Sequence, residues 1–168
     1  MTRSDVYKLI HDERDYQASR WHWDGHGYGV YFTYMDRYLR EAVDGKPKMD
    51  ACRDKHWFYA GAAIRKFAAL AVAAIEENGL LYPAETPAKD WVYAAIDEEY
   101  QRRQPSWPIL RQLHEFPKEL TLLRHYLRLA ETAWVTETDD SAVLDVIMKL
   151  AVIAVRCLET YGVPTREP

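Results

Sequence analysis

A chain of 168 residues, 48% hydrophobic and 29% charged, is long enough for one compact core or two very small ones, and this is the composition of a soluble globular protein. Its two cysteines, Cys52 in a polar stretch and Cys157 in an apolar run, give neither a disulfide framework nor the paired spacing of a zinc site, so a reducing cytoplasm is expected. The formal net charge is −4, with twelve basic and twelve acidic side chains in residues 1–79 and ten and fourteen in residues 80–168; with no basic stripe along the sequence, duplex DNA or RNA is not expected as a partner.

The opening segment, Met1 to Tyr7, carries Arg3 and Asp5 and lacks the apolar stretch of a secretory leader. Val6, Leu9, Ile10 and the run from Glu13 to Gln17 follow a 3.6-residue period, which predicts a first helix capped by Ser4 or Asp5. A glycine-rich break over 24–29 separates it from a second helix over 30–44. A polar loop with Gly45, Pro47 and Asp50 leads to a third helix over 55–78, stopped by Gly79. Residues 80–89, with Pro83 and Pro87, read as a linker. Three more helices follow over 89–103, 118–135 and 140–161, the last ended by Gly162 and Pro164. The longest charge-free apolar run, Phe67 to Ile75, has nine residues against the roughly 20 that span a bilayer, so no membrane-crossing segment is expected.

The third and sixth helices stand out. Between Trp57 and Ile75 only Arg65 and Lys66 are charged, and between Val146 and Leu158 only Lys149 and Arg156. Helices apolar around most of their circumference are buried ones. Ala68, Ala69, Ala71, Ala73 and Ala74 add little bulk, so these two helices are expected to pack closely against each other.

The sequence also repeats itself. Val6, Tyr7, Ile10, Glu13 and Trp21 recur 86 residues on as Val92, Tyr93, Ile96, Glu99 and Trp107, and Tyr38-Leu39-Arg40 and Ala42 recur at an offset of 88 as Tyr126-Leu127-Arg128 and Ala130. Ile64, Lys66, Ala68, Ala71, Val72, Glu76 and Gly79 recur at 83 as Ile147, Lys149, Ala151, Ala154, Val155, Glu159 and Gly162. Three matches in register imply a duplication. The expectation is all-α: two three-helix repeats, 1–82 and 83–168, related by a pseudo-twofold axis and packed as one six-helix bundle, a fused dimer. A unit of that size buries too little surface to stand alone comfortably.

Glu13-Arg14-Asp15-Tyr16-Gln17 with Trp21, the Gly/His loop, the helix Tyr34-Met35-Asp36-Arg37-Tyr38-Leu39-Arg40-Glu41-Ala42 and the Ala-rich helix ending Ile75-Glu76-Glu77-Asn78-Gly79 together resemble the short phage-encoded MazG-like proteins of the all-α nucleoside triphosphate pyrophosphohydrolase superfamily. The likeness covers residues 5–79 and, more faintly, 90–162. It implies dimers, tetramers or duplicated chains, a host cytoplasm, and carboxylates on facing helices that hold Mg²⁺ against nucleotide phosphates. The carboxylate pattern is where this chain departs. Asp36 and Glu41 lie five apart, about 140° around the helix, and so do not share a face. Lys66 and Lys149 stand in the third-helix stretches that carry acids in active members, and Arg124 and Leu129 stand at the second repeat's counterparts of Asp36 and Glu41.

The resemblance and its departures imply a non-catalytic protein that binds a nucleotide-type ligand or a host protein, with no cofactor. Lys66, Lys149, Arg40 and Arg128 would meet a phosphate directly, and the stripe Glu13, Gln17 and Trp21 would read a base, or else serve helix packing. An enzymatic alternative keeps Mg²⁺-dependent hydrolysis with Asp36, Glu41, Glu76 and Glu77 as ligands. A third is a structural or interaction module that self-assembles. His22, Asp24 and His26 have a spacing open to Zn²⁺ in a helix, but Gly25 and Gly27 argue for a solvated loop. His56, His114 and His125 have no partner recognisable in sequence. Among the abundant aromatics, the cluster from Tyr28 to Tyr34 is expected to be the partly exposed one.

Overall fold

A computed structural model of the chain describes residues 1–20, 27–44, 53–78, 88–103, 116–136 and 140–163. Among these the architecture is all-helical: α1 (Arg3–Arg20), α2 (Tyr28–Asp44), α3 (Arg53–Asn78), α4 (Ala88–Arg103), α5 (Phe116–Thr136) and α6 (Asp140–Tyr161). No described helix is long and apolar enough to cross a membrane. Trp21, His22, Asp24, His26, Cys52, Gly79, Trp107, His114, the loop with Gly45, Pro47 and Asp50, the linker up to residue 87 and Pro164 lie outside the described residues, as does the side chain of His56.

Local chemistry sets the helix ends. Neither Ser4 nor Asp5 is the N-cap of α1; the cap is Thr2, whose Oγ1 accepts from the Asp5 backbone N–H at 3.2 Å while Asp5 Oδ2 accepts from the Thr2 N–H at 3.1 Å. This reciprocal capping box satisfies two backbone donors at once and moves the helix start to Arg3. α6 stops where Gly162 takes φ +75° and its N–H donates to the Leu158 carbonyl at 2.9 Å, the left-handed C-terminal motif that glycine adopts without steric cost. α2 begins at Tyr28, inside the stretch expected to break. Gly29 therefore lies within the helix, and its reason is tertiary: a Cβ there would meet the Trp134 indole at 2.7 Å.

α3 packs against α1, α2, α4 and α6, and α6 packs against α1, α3, α4 and α5; α2 also packs against α5. A helix enclosed on so many sides has no room for bulk. Ala68, Ala69, Ala71, Ala73 and Ala74 are all fully buried, together with Ile64, Phe67, Leu70 and Ile75. The hydrophobic cluster draws on all six helices and includes Val6, Met35, Val92, Leu127 and Ile153. The aromatic segment at the start of α2 belongs to it, against expectation. Tyr28, Tyr31 and Phe32 are buried and only Tyr34 is half exposed, because 28, 31 and 32 fall on the core-facing side of the helix.

Two arginines are buried with this core, and each is matched. Arg65 of α3 donates from Nε to Glu13 of α1 at 3.1 Å, with both side chains nearly inaccessible. Arg156 of α6 donates to both carboxylate oxygens of Glu119 of α5. Desolvated pairs of this kind add little net stability but are costly to break, because the surviving partner is left as a buried charge. Glu13→Ala is therefore expected to lower the unfolding free energy by about 3–5 kcal/mol, and the double change Glu13→Leu with Arg65→Met to restore most of the loss. Denaturant melts of the two variants against wild type measure this; a double variant no better than the single one would show that the pair is needed for more than mutual neutralisation.

Candidate ligand-binding groove

α2 and α5 pack together so that the first half of α2 lies beside the last turns of α5. Between them opens a cavity of about 650 Å³ lined by Gly29, Phe32, Thr33, Asp36, Arg37 and Arg40 from α2 and Glu131, Trp134 and Val135 from α5. The α2 residues recur at helical spacing along one face, and Glu131, Trp134 and Val135 do the same on α5. Trp134 is 45% exposed and Val135 77% exposed, both large for apolar side chains. The indole is held in place rather than dangling. Its Cη2 rests on Gly29, and the Phe32 ring meets it edge to face with centroids 6.0 Å apart. Trp134 also borders a second cavity of about 590 Å³ with Gly27, Gly29, Val30, Thr33 and Tyr34.

Of the residues singled out from the sequence, Arg40 and Asp36 line this groove, Arg40 as a phosphate-binding candidate and Asp36 as a metal-ligand candidate. Arg40 is ion-paired to Asp36 one turn away yet largely exposed. Arg128 is exposed on α5, one turn before Glu131. Lys66 leaves the core by its stem: Nζ donates to Glu41 at 2.9 Å and lies 5.3 Å from the centre of the Tyr38 ring. Lys149 pairs with Asp145 within its own helix. Glu13 and Gln17 face inward, Glu13 onto Arg65 and Gln17 donating from Nε2 to the Lys66 carbonyl at 3.3 Å. A ligand would reach them only by opening those contacts.

The carboxylates of the Mg²⁺ alternative are each engaged by a cation. Asp36 pairs with Arg40 and Glu41 with Lys66, while Arg14 holds Glu76 at 3.1 Å and Glu77 at 3.5 Å. Glu76 lies ten residues beyond Lys66 on α3, about 15 Å by the helical rise, so the four do not converge on one cation. Among the described residues no group of three or more His, Cys, Asp or Glu is arranged to hold a metal ion. Burial holds Glu76 above the usual carboxylate range, against the lowering effect of Arg14. Burial likewise raises the Tyr28 phenol to about 12, with Asp140 adding to it.

Trp134, Thr33, Arg37 and Glu131 were not legible as a site in the sequence, whereas Phe32 falls in the aromatic cluster from Tyr28 to Tyr34. Trp134 belongs to no repeat match and sits near a helix end, and only the packing of α5 on α2 brings it against residues a hundred positions earlier. Comparison with known proteins adds no name to this groove: no family model, no curated protein and no solved structure matches the chain.

Two outcomes follow from this geometry. Gly29→Ala places a methyl 2.7 Å from the Trp134 ring and should displace it, red-shifting the emission assigned to Trp134 by difference against Trp134→Phe; unchanged emission would mean the ring is not seated there. For Glu76, a carboxyl raised in the folded state contributes most favourably below its unfolded pKa, and that contribution is lost as pH rises through the folded value. Glu76→Gln fixes the neutral form, so its stability relative to wild type should be greater at about pH 7 than at about pH 4. Denaturant melts at both pH values test this, and a relative gain that grows toward acid would refute it.

Proposed function

We propose that this chain is a non-catalytic, MazG-like helical protein of phage or prophage type that binds a nucleotide-type ligand, with the α2/α5 groove as its site. The observation that carries this reading is the pairing of a half-exposed, edge-supported indole with Arg37 and Arg40 in one cavity. An aromatic face stacks a base, and arginine meets phosphate through bidentate, charge-assisted hydrogen bonds. The engagement of Asp36, Glu41, Glu76 and Glu77 by cations favours binding over two-metal hydrolysis.

The fused-dimer architecture is part of the same proposal. It is supported by the partner sets of α3 and α6, each of which packs against the other, against α1 and α4, and against its own repeat's middle helix. It is also supported by Tyr7 and Tyr93, positions equivalent in the repeat, whose rings approach to 4.6 Å between centroids, as residues beside a twofold axis do. A second reading, docking of a host protein, is favoured by Val135 beside Trp134, since a protein partner would cover that aliphatic side chain.

A thermal-shift panel of nucleotides with and without Mg²⁺ decides among these. Binding to the native state alone stabilises it by about 2.7 kcal/mol at a hundredfold excess over Kd. The expected outcome is a Mg²⁺-independent rise in Tm that Trp134→Ala abolishes and Arg40→Ala weakens. Release of pyrophosphate on adding Mg²⁺ would establish the enzyme instead, and the absence of any shift would leave the protein-docking reading.

A further inference from the structure

Resting on the nucleotide reading of the groove, we infer that the α2/α5 seam takes a short single-stranded oligonucleotide in preference to a mononucleotide. The first observation is that Trp134 borders two cavities, about 650 and 590 Å³, which share Gly29 and Thr33. A ring supported by its edge on Gly29 and bordered by both cavities offers an exposed aromatic surface on which a base can stack.

The second observation is the run of cations leading away from that ring. At the other end of the seam, Ala42 and Val43 of α2 face residues 116–124 of α5 across a further cavity of about 300 Å³, which makes the two helices antiparallel and places Arg124 on the same seam. Arg128 lies between Arg124 and Glu131 at spacings of four and three, hence on the same edge of α5, and it is exposed. From Trp134 to Arg124 is ten residues, about 15 Å along the helix, so the cations continue beyond the reach of a nucleoside monophosphate whose base lies on the indole. Arg37, Arg40, Arg128 and Arg124 face two acids, Asp36 and Glu131, along this edge, an excess of positive charge on a chain whose net charge is −4. A phosphodiester backbone spaced along these arginines, with unstacked bases at the indole, uses both features. A duplex keeps its bases stacked and withholds them from the ring, and an acidic peptide leaves the exposed indole without a planar partner.

The test uses the full chain and four probes: thymidine monophosphate, an oligothymidylate of about eight residues, its duplex with oligoadenylate, and an oligoglutamate peptide. The oligothymidylate is expected to bind about tenfold or more tighter than the monophosphate, and Arg128→Ala to reduce the slope of log affinity against log salt by about 0.7, as loss of one phosphate contact on a single strand requires. Arg128→Lys should restore the slope, and Arg124→Ala should cut oligothymidylate affinity while leaving the monophosphate unaffected. Melting curves of each variant confirm that it is folded. If the monophosphate binds and the oligomer binds no tighter, this inference fails and the nucleotide reading stands. If neither binds, both fail. If the duplex or the peptide binds as tightly as the oligothymidylate, the seam is a general anion surface and the inference is overturned.

Discussion

The enclosure of α3 governs this structure. A helix packed against α1, α2, α4 and α6 can present only small or apolar side chains over most of its surface, and the alanines from 68 to 74 meet that demand. Any charge on it must either be matched inside or escape along its own stem. Arg65 takes the first route with Glu13 and Lys66 the second with Glu41, so two adjacent cations of one helix meet opposite solutions. The Arg65 pair also fixes the rotation of α1 against α3, because a desolvated guanidinium and carboxylate tolerate little misalignment. Arg156 and Glu119 impose the same constraint between α6 and α5.

This arrangement limits where ligand chemistry can sit. The charges at the ends of α3 and α6 are drawn into structural contacts with α1: Arg14 gathers Glu76 and Glu77, and Arg3 gathers Glu159 and Asp97 while lying 4.0 Å above the Tyr100 ring. Tyr7 donates to the same Asp97 at 2.7 Å. The contacts of Arg3 and Tyr7 tie the first half of the chain to the second. The α2/α5 edge differs in kind, since its arginines and its indole are turned outward onto open space.

On the fused-dimer proposal, the two halves have also diverged inside. The offset of 83 that aligns the third helices carries Arg65 onto Met148, so Glu99, the counterpart of Glu13, has no equivalent arginine on α6 and bonds to Arg102 of its own helix. The second half has its own buried pair elsewhere, between Arg156 and Glu119. A duplicated scaffold keeps its apolar register while its buried charges are redistributed, because packing depends on shape repeated over many residues and an ion pair on only two.

The sequence by itself determined the helical class, the approximate span of each helix and the burial of α3 and α6. These follow from apolar periodicity and from the scarcity of charge between Trp57 and Ile75 and between Val146 and Leu158, and both are local properties. Gly162 as a stop was legible for the same reason. What only the tertiary structure decided is which side chains meet. Gly29 reads as a helix breaker until Trp134 is seen to need the space a Cβ would fill, and the Tyr28 to Phe32 aromatics read as partly exposed until the core closes over them. Glu13 and Gln17 read from the sequence either as a recognition stripe or as packing residues, and only the tertiary structure brings Arg65 and the Lys66 carbonyl opposite them. The candidate groove joins residues 29–40 to residues 131–135, and no local pattern encodes that meeting, because it is set by the rotation and register of two helices packed in antiparallel array.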